Sequence, residues 1–218
     1  MIDAAGERMV IMARGDALYH PAPINLKNLQ GAQALLVDPR WASGAYDALI
    51  WAREFGVISV LDGDVALQAD LHCLAGVAQW AVFSEYGLND YAGRVLQADE
   101  RLGVLRAVVA SGARLAAVTL GSDGVLWTRG DKTHHLPAFQ VVAKDTNGAG
   151  DTFHAALAVF LARCAGQAAL SVDELAAQDA AAFRYASAAA ALKCEAGQGI
   201  MGAPSHDQVI AKALKEQG

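Results

Sequence analysis

The sequence predicts an α/β protein, a mostly parallel sheet covered by helices on both faces. Three observations support this. Short apolar runs without polar alternation recur along the chain, as strands buried on both faces require. Longer stretches of helical period separate them. Polar residues gather where the apolar runs end, and in open parallel sheets that edge faces the ligand.

The elements follow in order. "ERMVIMA" (7–13) reads as a strand closed by "RGD", and "ALLVD" (34–38) as a buried strand stopped by Pro39. A helix follows over 42–56, with Tyr46, Leu49, Ile50 and Phe55 proposed as its apolar face and Gly56 as its stop. "VISVLD" (57–62), "WAVFSE" (80–85) and "LAAVTLG" (115–121) are further strands, separated by helices at 66–78 and 98–112. "GVLWT" and "THHLP" form an antiparallel pair. From Gly148 onward the chain is helical, with alanine-rich segments at 155–162, 176–194 and 206–216. There is no linker, repeat or low-complexity tract, so 1–218 reads as a single domain.

Bulk properties narrow the function classes. With 218 residues, 54% of them hydrophobic, the chain can bury a substantial core. A formal net charge of -6 with no Lys/Arg run argues against a nucleic-acid surface. No apolar stretch reaches the length of a membrane span, and the acidic start "MIDAAGERMV" is unlike a secretory signal. Cys73, Cys164 and Cys194 are odd in number and far apart, the pattern of reduced, buried thiols in a cytoplasmic protein.

The stretch "KDTNGAGDTFHAA" (144–156) holds the chemistry. A helix start leaves backbone N–H groups unpaired and carries partial positive charge. Gly148, Ala149 and Gly150 have little or no side chain, so an anion can approach those amides closely. Asp151 then falls in the first helical turn, where its carboxylate can orient a hydroxyl and take its proton. A plain helix start has the same local pattern, and spacing by itself does not separate the two. Neither a Walker A end nor GxGxxG is present, which disfavours a dinucleotide-dependent oxidoreductase. Asp62 and Asp64 read either as pocket carboxylates or as a turn after a strand. His154, one turn past Asp151, reads as packing or as support for the site, and Trp41 is a candidate pocket wall beside Arg40. His134 and His135 are neighbours on a strand and point to opposite faces, so they cannot share one ion.

"DTNGAGD" (145–151) resembles the DTxGAGD signature of the ribokinase/PfkB carbohydrate kinases. "VTLGSDGVLW" (118–127) resembles the family's nucleotide-side segment, and "AAALKCEAGQGIMGAPSHDQV" its adenine-side helix and loop. The resemblance implies a ribokinase-like fold and ATP-dependent phosphorylation of a sugar hydroxyl, with Mg2+ and in some relatives K+. It implies Asp151 as catalytic base and the amides of Gly148, Ala149 and Gly150 as the anion hole. Thr119, Gly121 and Gly124 would lie along ATP. Glu85, in "FSE", would organise magnesium through water, although the family's paired asparagine is Val82 here. Asp145 and Asn147 match positions that line a monovalent-cation site. Within the family the likeness runs to members acting on 6-deoxy-6-sulfofructose, through "DAAGERMVI", "DPRWASGA", "GVISVLDGD" and "AVFSEYGL". Arg40 would then grip the sulfonate, since a guanidinium fork fits tetrahedral oxyanions. The supporting asparagine of that group is Met12 here, and a lysine from the family's N-terminal part has no counterpart.

Family members are longer, and the resemblance has this chain begin inside their β-lid, with 1–20 a remnant of a lid strand. The expectation is therefore a partial kinase domain lacking most of the lid. A catalytically poor, nucleotide-binding remnant is the alternative reading. A homodimer is among the expected states, since relatives often pair through the lid.

Overall fold

Val60 and Leu61, Val82 and Phe83, and Ala117 and Val118 are neighbours in sequence that pack into two different cores. Such pairs are what a sheet buried on both faces needs, because successive side chains leave a strand on opposite sides. A computed structural model describes residues 23–165 and 171–215. The strand expected at 7–13, the lid remnant at 1–20 and Met12 lie outside the described residues.

The elements are β1 (Ala34–Val37), α1 (Ala42–Glu54), β2 (Ile58–Gly63), α2 (Gln68–Val77), β3 (Trp80–Ser84), α3 (Glu85–Ala92) and α4 (Arg101–Ser111). They continue with β4 (Leu115–Thr119), β5 (Val125–Arg129), β6 (Lys132–Leu136), α5 (Ala149–Cys164), α6 (Val172–Ala196) and α7 (His206–Lys215). The strands lie side by side in chain order, β1 to β4 parallel and β5 and β6 antiparallel.

Sequential parallel neighbours have a topological consequence. Right-handed crossovers between them put every connecting helix on the same face. Leu49, Leu71, Leu74, Leu88, Leu105 and Val108, from α1 to α4, accordingly share one core with Leu61, Phe83 and Val118. The other face is covered by chain that arrives later. Phe153, Leu157 and Leu161 of α5 and Ala182, Phe183 and Ala186 of α6 pack there on Val60, Val82, Ala117 and Trp127. A capping box starts α6: Ser171 Oγ accepts from the Glu174 N–H, and the Glu174 carboxylate accepts from the Ser171 N–H. Asp179, almost fully buried, receives a two-pronged guanidinium contact from Arg129 of β5 at 2.6 and 2.8 Å, which ties α6 to the sheet.

Several expectations change. In α1, Tyr46, Ile50 and Phe55 are exposed, and only Leu49 of the proposed face is buried. The buried residues are Gly44, Ala45, Ala48, Leu49, Trp51 and Ala52, four of the six being alanine or glycine. Helix α3 was not expected. Ser84 caps it by accepting the Gly87 N–H at 2.9 Å, so Glu85 opens a helix instead of closing a strand. Cys73 is exposed, and Cys164 and Cys194 are half-buried rather than buried. His134 stacks on Trp127 while His135 faces Asp123 O, on opposite sides of β6.

Gly87 sits where α3 crosses the end of β2, and a Cβ there would overlap the carbonyl oxygen of Gly63. Gly87→Ala should therefore destabilise the protein by about 3 kcal/mol, the upper range for overpacking. Urea unfolding checks this, and a near-neutral variant would contradict the close approach.

Candidate active site

Four parallel strands end on one edge of the sheet, and each end delivers polar groups. After β1, the Asp38 carboxylate accepts the Arg40 N–H at 2.7 Å and its guanidinium at 2.8 Å. Near the end of β2, Asp62 is half-buried, and Asp64 accepts the Ser84 hydroxyl at 2.9 Å. At the end of β4, the Thr119 hydroxyl donates to Phe83 O at 3.3 Å, and Gly121 and Gly124 follow in the turn to β5. Glu85 is turned to Arg101, with a 2.7 Å ion pair. Trp41 packs on Gly44, where a Cβ would meet its ring at 2.5 Å.

The start of α5 differs from those of α3 and α6. Those two are capped by serine hydroxyls. Here the cap is Gly148 in the left-handed region, φ 75°, with no side chain to satisfy the amides. Ala149 N–H already donates to Thr146 O at 3.1 Å, so one of the three expected anion-hole amides is engaged. The first-turn amides of Gly150 and Asp151 have no partner within the helix. A Cβ at Gly150 would meet nothing within 4 Å, which marks open space in front of them. Asp151 is exposed, and its Oδ2 lies 3.7 Å from the point where a Gly148 Cβ would stand.

Behind this turn lies a buried pair. His154 is 2% exposed, and its Nδ1 is 2.9 Å from Gly150 O and 3.5 Å from Asp62 Oδ1. Its Nε2 is 3.3 Å from Val82 O. Both ring nitrogens therefore lie within reach of main-chain oxygens, and Nδ1 also lies near the Asp62 carboxyl. Burial pushes the Asp62 carboxyl up, His154 pulls it down, Asp64 and Asp151 raise it, and Arg40 lowers it. These groups form one electrostatic neighbourhood. Asp62 and His154 thus lie together beside the start of α5, and the His154 ring reaches the Gly150 carbonyl.

A second pair lies at the residues that lead into the turn. Asp145 Oδ1 accepts the Asn147 N–H at 2.8 Å. The Asp145 carboxyl is held below the usual range, chiefly by that bond and, against some desolvation, by the Lys193 ammonium and the Gly199 N–H. Lys193 is 1% exposed; its Nζ lies 3.5 Å from Asp145 O and 3.7 Å from Asp145 Oδ2. Sequence reasoning missed this residue. The available signal was its place on the 182, 186, 189, 193 stripe of α6, otherwise alanine and fully buried.

The metals implied by resemblance fit unequally. Among the described residues no cluster of three or more His, Cys, Asp or Glu is placed to hold an ion by itself. Magnesium needs only one or two carboxylates when phosphates supply the rest, so the rim carboxylates fit an ion that arrives with a nucleotide. A monovalent cation at Asp145 and Asn147 does not fit, because Lys193 already faces the Asp145 oxygens. From Asp151 and Thr152 an open groove of about 390 Å³ runs along α5 toward Ala189, Pro204 and Val209.

The sequence matches the pfkB family of carbohydrate kinases over residues 1–206. This chain belongs to that family. A deoxyribokinase of Salmonella typhi is 31% identical over 109 residues, covering 50% of this chain and 36% of that protein. A ribokinase of Bacillus subtilis is 51% identical over 45 residues, 21% of this chain and 15% of that protein. Among solved structures, a provisionally assigned ribokinase from Agrobacterium tumefaciens superposes with a TM-score of 0.82 at 33% identity, over 97% of this chain and 65% of that one. The Arabidopsis thaliana ribokinase complexed with ribose and ATP gives a TM-score of 0.72 at 23% identity, over 87% of this chain and 58% of its own, which bears on the fold. The chain thus spans less than two thirds of these relatives. PfkB membership agrees with the sheet-and-helix architecture and with the Gly148 turn at its rim. Among the described residues no helix is long and apolar enough to cross a membrane.

The raised Asp62 carboxyl makes stability depend on pH. A folded-state pKa above the unfolded one gives a contribution fully present below the ordinary carboxylate range and lost as pH rises through the folded value. Asp62→Asn should flatten that decline, measured by urea unfolding across a pH series. An unchanged slope would contradict the assignment.

Proposed function

We propose that the rim around Gly148 transfers the terminal phosphoryl group of ATP to a hydroxyl of a sugar or sugar derivative. The observation that supports this reading best is the uncapped start of α5 with Asp151 in its first turn, at the edge where four strand ends converge. The family membership supports it as well.

The steps follow from the groups present. The amides of Gly150 and Asp151, with the positive end of α5, receive the phosphoryl oxygens as charge spreads over them. The sugar hydroxyl oxygen forms the new bond to phosphorus, the bond to the ADP oxygen breaks, and the hydroxyl proton passes to the Asp151 carboxylate. His154 holds the Gly150 carbonyl and so keeps the neighbouring amides aimed outward. Thr119, Gly121 and Gly124, on the same edge, would line the nucleotide. Magnesium, when bound, would neutralise phosphate charge, with the rim carboxylates and Glu85 as its protein partners.

The finer reading is an anionic sugar, with 6-deoxy-6-sulfofructose as the candidate. Arg40 supports it. Asp38 engages Nη1 of the guanidinium, whose other donors are available to an oxyanion, and the side chain is 47% exposed.

Asp151→Asn should leave the fold intact and lower kcat by roughly 10²–10⁴, the usual worth of a general base. A coupled assay with ATP across ribose, deoxyribose, fructose derivatives and the sulfonated sugar checks both the reaction and its acceptor. Turnover unaffected by the substitution would overturn the role of Asp151. Nucleotide binding without turnover on any sugar would favour the nucleotide-binding reading.

A further inference from the structure

Lys193 carries a full charge into a place where water does not reach. Its side chain threads past two glycines: Cδ lies 3.7 Å from the Cβ position of Gly202, and Cε 4.0 Å from that of Gly148. The ammonium ends against one main-chain carbonyl and one carboxylate oxygen of Asp145. Those are the oxygen types that hard cations select. Asp145 is its one ion-pair partner among the described residues. A buried ammonium without such a partner would be strongly unfavourable, so the pair holds together as a unit.

The unit holds the phosphate turn at its Asp145 end. One Asp145 oxygen is fixed by the Asn147 N–H, the other faces Lys193, and Gly148 follows directly. An alkali ion entering here would meet an ammonium on the same oxygens, and like charges so close together repel.

We propose that the Lys193 ammonium is a built-in monovalent cation, a positioning group that sets the Asp145–Gly148 turn and makes it independent of K+. The inference rests on the reading of this turn as a phosphate site.

The test uses the whole chain in K+ and in tetramethylammonium at equal ionic strength. Two quantities are read: the melting temperature, and the affinity for ADP and for a non-hydrolysable ATP analogue by calorimetry. The native protein should give the same values in both salts. Lys193→Ala should bind nucleotide roughly tenfold more weakly in tetramethylammonium, the scale of a typical coupling between sites. K+ or methylammonium should restore it and raise its melting temperature, since a ligand of the native state stabilises by mass action. Lys193→Met, which keeps the stem and fills the space, should be weakened and not rescued. Specific stabilisation of the native protein by K+ would sink the proposal, and that measurement stands even if neither variant folds. A Lys193→Ala protein indifferent to K+ would sink it too. The melting arm needs no nucleotide, so failure of ATP and ADP to bind in every salt would count against the kinase reading alone.

Discussion

The peptide at Gly148 has to turn through the left-handed region for α5 to begin where it does. With φ at 75° and no side chain to cap the helix, the Gly150 and Asp151 amides are left without a partner in the helix, and the Asp151 carboxylate lies beside the same turn. A serine cap of the kind found at α3 and α6 would satisfy those amides and close the entrance. The other groups at the rim stabilise or surround this one arrangement. Phe153, Leu157 and Leu161 anchor α5 on the sheet, and His154 holds the Gly150 carbonyl.

Charge at the rim is organised in pairs. Asp38 faces Arg40, Asp62 faces His154, Glu85 faces Arg101, and Asp145 faces Lys193. Asp151 makes no ion pair among the described residues, and it is exposed. Two of the pairs, Asp62–His154 and Asp145–Lys193, lie next to the segment that contains the Gly148 turn. Removing one member of a buried pair leaves the other charge uncompensated, so each pair resists disruption more strongly than it adds to net stability. That resistance suits a turn whose backbone must not drift by even an ångström during phosphoryl transfer.

Local signals were legible where one physical cause dominated. Continuous apolar runs gave the strands because burial on both faces leaves no room for polar alternation. The β5–β6 hairpin and the long C-terminal helices were readable for the same reason, from period and turn residues. Helix α3 was not readable, because its start depends on a single serine cap and its apolar pattern spans only eight residues. The inward face of α1 was misjudged because hydrophobicity ranks Tyr46 and Ile50 above alanine, whereas close packing on the sheet selects Ala45, Ala48 and Ala52.

The sequence by itself determined the alternation of strands and helices, the glycine turn ahead of Asp151, and the family signature, since these are properties of adjacent residues. Only the tertiary structure decided which charges meet. Lys193 and Asp145 are 48 positions apart, and nothing in their local surroundings requires them to touch. Asp62 met His154 only when α5 was laid across the sheet. Backbone conformation is set over a few residues, whereas the pairing of buried charges is set by how whole elements pack. That is why the turn could be read from seven letters and its supports could not.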